Sequence, residues 1–275
     1  MLSRWIGKIF ANAVMAFTVA ISTFPILWVI MSSFKSNKEI LGDPFSLPTS
    51  IDFAAYLDVL QNYHFVTYFL NSLLIAGTAT LLALFIYALA GYVFGKYDFR
   101  LKSALYILFT VTLLVPGHAK AQPIFSLIMD LNLYDTKTAL MLVYTSFGLA
   151  LALFILRATF MTVPKDLDEA ALIDGAGFWR IFWSVNLPLA RSGLATAGIL
   201  MFLSYWNEYF YALILTTGST NRTLPVALAF FDEAFSYNYT RMFAALTLVV
   251  LPGIIIYLLV QEQVQKSVAS TGIKG

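Results

Sequence analysis

The stretch that decides the fold of this chain is Glu169–Ala190, which reads EAALIDGAGFWRIFWSVNLPLA. It holds carboxylates, an arginine, several small residues and a closing proline, whereas the chain on both sides of it is strongly apolar. Loops between packed helices are commonly only about two to eight residues long. A longer, patterned segment in this position predicts either a helix on the membrane surface or a contact with another protein.

The composition of the whole chain indicates a membrane protein. Of the 275 residues, 60% are hydrophobic and only 12% are charged, and the mean hydropathy is +0.78. Soluble domains carry about 25% charged residues, so lipid is the expected solvent for most of these side chains. The net charge of +2 is too small to suggest nucleic acid, and the absence of cysteine excludes disulfides, cysteine-ligated zinc and thiol catalysis. His64 and His118 are too far apart to suggest a histidine-rich metal site, and we expect each in a loop or interface.

Six apolar segments are long enough to cross a bilayer, which requires about 20 residues in a helix. They are residues 9–31, 66–94, 102–124, 138–161, 189–215 and 242–261. The first segment follows Arg4 and Lys8, as in a signal peptide, but its apolar run is too long and no cleavage pattern follows. We therefore expect it to be a retained span.

Lysine and arginine in the connecting segments predict the orientation, because cytoplasmic loops are enriched in both. If the N-terminus is inside, eleven of these residues lie inside and six outside. The inside set is Arg4, Lys8, Lys96, Arg100, Lys102, Arg157, Lys165, Arg180, Arg191, Lys266 and Lys274. The outside set is Lys35, Lys38, Lys120, Lys137, Arg222 and Arg241. We expect a multi-pass protein with both termini in the cytoplasm.

The inner loop before the fifth span has the pattern of two short helices separated by a bend. Pro164 ends the preceding span, since the residue before a proline avoids the α region. Asp166 and Glu169 have the spacing of a capping box, which predicts the start of the first helix. Gly175 and Gly177 suit a left-handed helix stop.

Local physics leaves two interpretations of this loop open. The small side chains of Ala170 and Ala171 would let the first helix sit deep in a groove of another protein. Alternatively, the helix lies on the bilayer surface and its carboxylates serve only to cap it. Helical spacing predicts that the second helix presents Phe178, Ile181, Phe182 and Val185 on one face. Pro188 is expected to interrupt this helix.

The spacing of residues in this loop resembles the EAA loop of ABC-importer permease subunits, whose pattern is E-A-A-x3-G-x9-I-x-L-P. Here the pattern is matched by Glu169-Ala170-Ala171, Gly175 and Val185-Asn186-Leu187-Pro188, with valine in place of isoleucine. The chain is most similar to the carbohydrate branch, in particular the MalG-like second permease of maltose and oligosaccharide importers. Further stretches of that branch occur at Asn71–Leu74, Pro116-Gly117, Trp206–Tyr209, Thr223–Val226 and Ser270–Gly275. One departure is Arg191, where many relatives have a proline.

The resemblance implies an all-α, polytopic membrane protein with six transmembrane helices in the MetI-like fold of type I ABC-importer permeases. The EAA loop would be its cytoplasmic coupling helix. Residues 1–65 would form the N-terminal transmembrane helix and an outer loop. Residues 66–262 would form the permease core with five transmembrane helices and the EAA loop at 164–188, and residues 263–275 a cytoplasmic tail.

The resemblance also implies a non-catalytic subunit of a larger complex in a bacterial or archaeal plasma or inner membrane. A second, homologous permease would form a heterodimer with it, and two cytoplasmic ATPase subunits would bind ATP and Mg. An extracellular or periplasmic solute-binding protein would deliver a carbohydrate. The chain has no G-x-x-x-x-G-K-[ST] loop, so we expect the ATPase on another chain. No cofactor, metal or nucleic acid is expected in this chain.

Site residues follow from the resemblance, position by position. The expected ATPase-coupling contacts are Glu169, Ala170, Ala171, Asp174 and Gly175. The tail residues Gly272, Lys274 and Gly275 are expected to reach the ATPases as well. The substrate-path candidates are Trp206, Asn207, Glu208 and Tyr209. For the polar pair among these, two roles stay open: a contact with the sugar, or a hydrogen bond to the partner permease.

Other functions remain as alternatives. An importer of polyols, glycerol phosphodiesters or modified sugars would have the same architecture, although a phosphate ligand favours a deep Arg or Lys that the spans lack. A passive channel would have no use for an EAA loop. An intramembrane enzyme would need a catalytic set, such as paired intramembrane aspartates or an H-E-x-x-H helix, and the sequence contains none.

Overall fold

The computed structural model describes residues 2–235 and 237–272, and within these residues it is helical with no strand. Helices are the expected solution because a bilayer offers backbone groups no water, so each segment must pair its own N–H and C=O groups. The first helices are α1 (Leu2–Ser32), α2 (Asn37–Gly42), α3 (Ala54–Asn62), α4 (Phe65–Lys96), α5 (Lys102–Val111), α6 (Ala121–Asp130), α7 (Lys137–Phe147) and α8 (Leu149–Thr162). The others are α9 (Lys165–Ile173), α10 (Phe178–Ile181), α11 (Leu187–Leu189), α12 (Arg191–Trp206), α13 (Phe210–Leu215), α14 (Leu224–Phe235) and α15 (Tyr239–Gly272).

Two helices are long and apolar enough to cross a membrane unbroken. They are the Gly7–Ser32 part of α1 and the whole of α4, with mean hydropathies of 2.1 and 2.2. Three pairs of helices pass the same test together but are bent by 105°, 53° and 80°. The first two pairs, Lys102–Leu114 with Gly117–Asp130 and Lys137–Phe147 with Ala150–Thr162, cover the predicted third and fourth spans. The last, Phe178–Leu189 with Arg191–Trp206, starts inside the predicted inner loop and covers only part of the predicted fifth span. The segment Tyr239–Ile255 is a shorter apolar helix within α15. The described residues therefore hold two to five spans by length and composition, and six transmembrane helices stay a prediction.

The third and fifth spans are not single continuous helices. The third is interrupted at Val115–Pro116, between two 3₁₀ turns at Thr112–Leu114 and Gly117–Lys120. A proline lacks the N–H that a helix needs and clashes with the preceding turn, which accounts for this break. In contrast, Pro25 and Pro252 lie inside continuous helices.

The chain forms two compact units. One contains the residues up to Val66 together with Ala227–Pro252, and the other contains Thr67–Val226 together with the residues from Gly253 onward.

In the first unit, two basic side chains hold the outer loop in place. Lys35 is buried and donates to the Pro44 carbonyl at 2.9 Å, and Arg241 pairs with Asp58 at 2.5 Å.

A capping box shapes the same outer loop. The Ser36 hydroxyl accepts a hydrogen bond from the Glu39 N–H at the start of α2, and the Ser36 N–H donates back to the Glu39 carboxylate at 2.7 Å. The Thr49 hydroxyl also donates to this carboxylate, at 2.5 Å. These donors, Thr49 first, lower the pKa of Glu39 from an ordinary value of 4.5 to about 2. One carboxylate thus ties the start of α2 to Thr49.

Small residues set the packing of the second unit. Ala76, Ala79 and Ala83 on α4 are almost fully buried, so neighbouring helices approach the α4 backbone closely. Gly91 is the tightest such point on α4, since a Cβ there would lie 2.8 Å from the Cβ of Leu156 on α8. Because α4 and α8 pack closely here, the end of α4 lies beside the end of α8, from which the functional segment continues.

The opposite end of this unit is held by buried polar side chains. Asn71, near the start of α4, donates to the carbonyls of Thr220 and Arg222, and the Ser72 hydroxyl accepts from the Leu224 N–H. Asp135 accepts from the N–H groups of Thr217 and Gly218 at 2.9 and 3.0 Å; burial alone would raise the pKa of Asp135, but these hydrogen bonds outweigh it and lower that pKa. The loop 216–223 is therefore fixed to the start of α4 and to the connection between α6 and α7.

Candidate functional site

Helix α9 opens the segment predicted to couple to a partner, residues 164–188, which we call the coupling segment. It begins at Lys165 directly after Pro164, and Val163, with a ψ of 123°, ends the preceding helix as predicted. The predicted capping box of Asp166 with Glu169 is wrong, because the helix starts earlier and no side chain caps its first turn. Asp166 and Asp168 instead lie within that turn, where the positive end of the helix dipole favours carboxylates.

Helix α9 ends in the left-handed turn predicted from its glycines. Gly175 has a φ of +79°, and its N–H donates to the Leu172 carbonyl at 3.0 Å. The Ala176 N–H reaches back to the Ala171 carbonyl at 2.9 Å, which completes a Schellman motif. Gly177, in contrast, is extended with a φ of −80° and begins α10. Only Gly175 therefore supplies a conformation that other residues disfavour.

Most of the expected coupling residues are exposed. Glu169, Ala170, Asp174 and Gly175 are exposed and Ala171 is half-buried. Apolar side chains flank them, and the exposed ones on the same helix are Leu167, Leu172 and Ile173 at 42%, 59% and 87%. Clustered exposed apolar groups mark a surface that another protein or a membrane covers.

The other side of α9 is held by a network that the sequence did not predict. Asp168 forms an ion pair with Lys96 at 2.8 Å, and their side chains are only 17% and 3% exposed. Lys96 is the last residue of α4 and also donates to the carbonyl of Val163, at 2.7 Å. The amide of Asn186 donates to the second carboxylate oxygen of Asp168 at 2.5 Å. Asp168 thereby joins three separate elements.

Asn186 reaches Asp168 because the chain forms a π-helical turn over Phe182–Asn186. The wider turn places Asn186 inside, where it is fully buried, and its amide oxygen has no hydrogen-bond partner. The predicted apolar face is confirmed, since Ile181 and Phe182 are buried and Phe178 and Val185 are half-buried. Such π turns are rare and often occur at functional sites.

The coupling segment leads into α12 through a sharp corner. The helical stretch that ends at Leu189 and the helix that starts at Arg191 are bent by 80° at Ala190. Arg191 is exposed at the first turn of α12, and the turn packs on α8 through Gly193, where a Cβ would strike the side chain of Thr159. A straight helix from Pro188 to Glu208 is therefore excluded.

A second helix break follows at Asn207–Tyr209, between α12 and α13. The Glu208 carboxylate accepts the Tyr144 hydroxyl at 2.7 Å, the Tyr211 N–H at 2.8 Å and the Ala212 N–H at 3.0 Å. It therefore satisfies the free N–H groups at the start of α13 and ties that start to α7. Asn207 donates only to the Leu203 carbonyl of its own helix.

The break in the third span lies against the start of α13. The Tyr211 hydroxyl donates to the Gly117 carbonyl at 2.7 Å, and the His118 ring packs edge-on against Phe210 at 4.5 Å. Lys120 lies 5.6 Å from the centre of the Phe147 ring. His118 is thus an exposed contact residue at a helix break, in agreement with the expected loop or interface role.

Comparison with known proteins identifies the fold. The family described as "Binding-protein-dependent transport system inner membrane component" matches residues 88–270. This chain belongs to that family. The resemblance inferred from the EAA loop is therefore confirmed, and the chain is a multi-pass permease subunit of a binding-protein-dependent ABC importer.

Curated relatives agree along nearly the whole length of the permease. The diacetylchitobiose uptake system permease protein NgcG of Streptomyces coelicolor is 34% identical over 261 residues, which are 94% of this chain and 86% of that protein. The trehalose/maltose transport system permease protein MalG of Thermococcus litoralis is 31% identical over 265 residues, 93% of this chain and 92% of that protein.

A solved structure supports the MetI-like permease fold. One chain of a bacterial ABC transporter involved in the import of the acidic polysaccharide alginate superposes with a TM-score of 0.85 at 26% identity. The match covers 95% of this permease and 98% of that chain. The all-helical fold class predicted from the sequence is confirmed in this way, apart from the number of spans.

The four path candidates of this permease differ in their surroundings. Trp206 is buried and packs against Phe69 and Phe202, with ring centres 5.6 and 5.8 Å apart. Glu208 is half-buried and has the partners given above, whereas Asn207 and Tyr209 are exposed. Of the tail residues, Gly272 is the last residue of α15, and Lys274 and Gly275 lie outside the described residues.

A small cavity lies between α8 and α12, next to Tyr205 and Gly148. Its volume is about 90 Å³, well below the roughly 300–1,000 Å³ typical of small-molecule pockets. It therefore has room for a few waters but not for a sugar.

Sequence reasoning missed Lys96, Asp168 and Asn186 as a group. From the sequence, Lys96 is interpreted only as a charge in an inner loop, Asp168 only as one of the carboxylates of the first helix, and Asn186 only as the variable position of a motif. One signal was available: a lysine directly after a long apolar helix must find a partner or reach water. The identity of that partner depends on the tertiary structure.

Proposed function

We propose that this permease imports a carbohydrate and that the coupling segment connects it to a separate ATPase subunit. The observation that carries this proposal is the exposed surface of α9, which holds Glu169, Ala170, Asp174 and Gly175 beside exposed leucine and isoleucine side chains. A surface helix on lipid would turn its apolar groups to one side and its carboxylates to the other. Here both kinds of group share the exposed surface, which suits a protein groove.

Carbohydrate as the substrate class is supported by the relatives. Their names specify diacetylchitobiose, trehalose/maltose and, for a 29% identical permease of Agrobacterium fabrum, sulfoquinovosyl glycerol. A modified or acidic sugar therefore stays the alternative within transport.

The cavity between α8 and α12 is too small for a sugar, which supports a path formed with a second permease, as a heterodimer. In this proposal a solute-binding protein delivers the sugar from outside, and two cytoplasmic ATPases bind ATP and Mg. Closure of the ATPases moves α9 and switches the pair between inward-open and outward-open states. Both termini lie in the cytoplasm, and Gly272, Lys274 and Gly275 of the tail also contact the ATPases.

Within the path, Trp206, Asn207, Glu208 and Tyr209 remain proposed residues with divided roles. Asn207 and Tyr209 are exposed and available to a sugar or to the partner permease. Glu208 and Trp206 have partners within this chain, so we assign them to positioning the break between α12 and α13.

A charge reversal on α9 tests the coupling function. We expect Glu169→Lys to abolish sugar uptake and ATPase copurification while the permease still reaches the membrane. Asp166→Lys is the matched control, because Asp166 is exposed on the same helix, one turn earlier, and is not among the expected coupling residues. Normal sugar-stimulated ATP hydrolysis in Glu169→Lys would refute the coupling role.

A further inference from the structure

The rear of the coupling helix carries an inner clamp, by which we mean Lys96, Asp168 and Asn186. The Lys96 ammonium lies 2.8 Å from one Asp168 oxygen, and the Asn186 amide donates to the other. Lys96 belongs to the end of α4, Asp168 to α9 and Asn186 to the π turn before the corner at Ala190. The Asp168 carboxylate therefore joins the coupling helix α9 both to the end of α4 and to the π turn that leads into α12.

The end of α4 that bears Lys96 is itself fixed to α8. Lys96 donates to the Val163 carbonyl at 2.7 Å, and the Arg157 side chain donates to the Phe94 carbonyl at 3.3 Å. Gly91 lets the two backbones approach closely, since a Cβ there would lie 3.0 Å from the backbone nitrogen of Arg157. A displacement of Lys96 therefore displaces the ends of both α4 and α8.

A buried ion pair often adds little to the stability of a fold. Removing two charges from water costs free energy that their attraction often does not recover, and apolar residues of similar size commonly stabilise a fold as well. Such pairs suit contacts whose geometry matters. Asp168 has both oxygens bonded within the chain, so its carboxylate is turned toward Lys96 and Asn186, although it directly precedes the exposed Glu169.

We propose that the inner clamp transmits the movement of α9 to α4 and to the π turn before α12, so that these elements move as one body. Lys96, Asp168 and Asn186 are then positioning residues: they do not touch the ATPase or the sugar but connect the two. This inference rests on the proposed coupling function of α9. Short, charged and buried contacts allow little relative movement of the elements they join. For this reason we assign transmission to them and not to the aromatic packing nearby.

A double-mutant cycle separates transmission from folding. Lys96→Met or Asp168→Asn alone leaves the other charge buried and unpaired, and we expect less permease in the membrane. The double variant Lys96→Met with Asp168→Asn removes both charges, and we expect it to restore the amount of permease and its copurification with the ATPase. If the clamp transmits motion, sugar transported per ATP hydrolysed still falls about tenfold in proteoliposomes containing the binding protein.

Two controls define this cycle. Lys96→Arg keeps the charge and the donors, so we expect coupling close to that of the unchanged permease. Asp166→Asn removes an exposed charge from the same helix turn and should leave coupling unchanged. A double variant that assembles and transports with unchanged ATP stoichiometry would overturn the proposed transmission.

A distance measurement tests the same inference without breaking the clamp. The chain has no cysteine, so spin labels can be placed at Lys165 on α9 and at Arg100 in the loop after α4, both of which are exposed. We expect the distance between the labels to stay constant between nucleotide-free and ATP-bound complexes. A change of about 5 Å, the size of a one-turn shift, contradicts movement as one body.

The two proposals fail in different ways. If the unchanged permease pair copurifies with no ATPase and shows no sugar-stimulated hydrolysis, the coupling function itself is wrong. If that activity is normal while the double variant is fully coupled or the label distance changes, only the role of the inner clamp is wrong.

Discussion

At the scale of single residues, carboxylates that are close in the sequence have different roles because their surroundings differ. Asp166, Asp168 and Glu169 lie on one short helix, yet of these three only Asp168 is ion-paired and enclosed. Their spacing in the sequence predicts carboxylates at a helix start but not which of them is turned inward. The partner Lys96 lies far away in the chain, at the end of another helix.

Gly175 carries the first prediction, because its φ of +79° places it in the left-handed region. For an L-residue that conformation costs about 1–2 kcal/mol. A Cβ there would meet nothing within 4 Å, so only the backbone cost applies. We expect Gly175→Ala to reduce uptake, and Gly175→Asn to be milder, since Asn accepts this conformation. Gly175→Leu should abolish uptake, because its longer side chain at this exposed position would also enter the proposed ATPase contact.

Gly177 is the matched control for that series. It is extended, with a φ of −80°, and is equally open, so Gly177→Ala should retain uptake. Uptake and ATPase copurification are measured at equal amounts of permease in the membrane. Equal losses at the two glycines would contradict the role of the left-handed turn.

Glu208 carries the second prediction. In Glu208→Gln an NH₂ group replaces one oxygen, so the side chain can no longer accept from Tyr144, Tyr211 and Ala212 together. A lost buried hydrogen bond costs about 1–3 kcal/mol, so we expect a lower melting temperature of the purified complex. Asn207→Ala, which removes only a bond to the Leu203 carbonyl, should change it little. Weaker sugar binding at an unchanged melting temperature would instead make Glu208 a substrate contact.

At the scale of elements, the close helix contacts depend on residues with little or no side chain. A tight one is the crossing of α4 and α8 at Gly91. We expect Gly91→Ala to separate the two helices, at a cost of about 1–3 kcal/mol for overpacking. The melting temperature in detergent and the amount in the membrane should both fall.

Gly77 on the same helix is the control for Gly91. A Cβ at Gly77 would meet nothing within 4 Å, so Gly77→Ala should leave the melting temperature unchanged or raise it. If both alanine variants behave alike, the crossing is not limited by the Cβ at Gly91.

The outer loop carries a prediction about pH. The pKa of Glu39 is lowered to about 2 by hydrogen bonds from Thr49 and Ser36. Because this pKa lies below the ordinary value of 4.5, the carboxylate stabilises the loop fully above pH 4.5. That contribution is lost as the pH falls from 4.5 through about 2.

Hydrogen exchange checks this expectation. Protection of the Ser36 and Thr49 amides, which donate to this carboxylate, should decrease over that acid range, relative to their intrinsic exchange at each pH. Glu39→Gln should show the weaker protection already at neutral pH. Protection that is independent of pH in the unchanged permease would contradict the role of the carboxylate.

At the scale of the whole molecule, the segments predicted on the same side of the membrane come together within the second unit. The end of α4 meets the start of α9 through Lys96, whereas its beginning meets the loop 216–223 through Asn71. This pairing supports alternating spans. The direction of the chain across the membrane depends on the lysine and arginine distribution, which favours cytoplasmic termini.

Single introduced cysteines test the orientation, because the natural chain has none to interfere. We expect a membrane-impermeant maleimide to label Ser50→Cys and Ser219→Cys in intact cells. Arg100→Cys and Asp166→Cys should react only after permeabilisation. All four positions are exposed, so access to the reagent is set by the side of the membrane. The opposite pattern would place both termini outside.

The sequence by itself determined the family, the helical class and the place of the coupling segment. These depend on local properties: long apolar runs, and a motif whose residues lie at fixed spacing between Glu169 and Pro188. The left-handed turn at Gly175 was also predictable, since glycine enters that conformation without steric cost. The break at Pro116 followed a local rule, although Pro25 and Pro252 show that the same residue can stay within a helix.

The tertiary structure alone decided which polar groups meet. Asp168 pairs with Lys96 at the end of a distant helix, and Glu208 pairs with Tyr144 across 64 positions of sequence. The π turn at Phe182–Asn186 likewise has no local signature that sequence reasoning recognised, and the corner lies at Ala190, two residues after the predicted interruption at Pro188. A buried charge is stable only beside a partner, and which partner is within reach depends on how distant helices pack, not on the residues next to it in the chain.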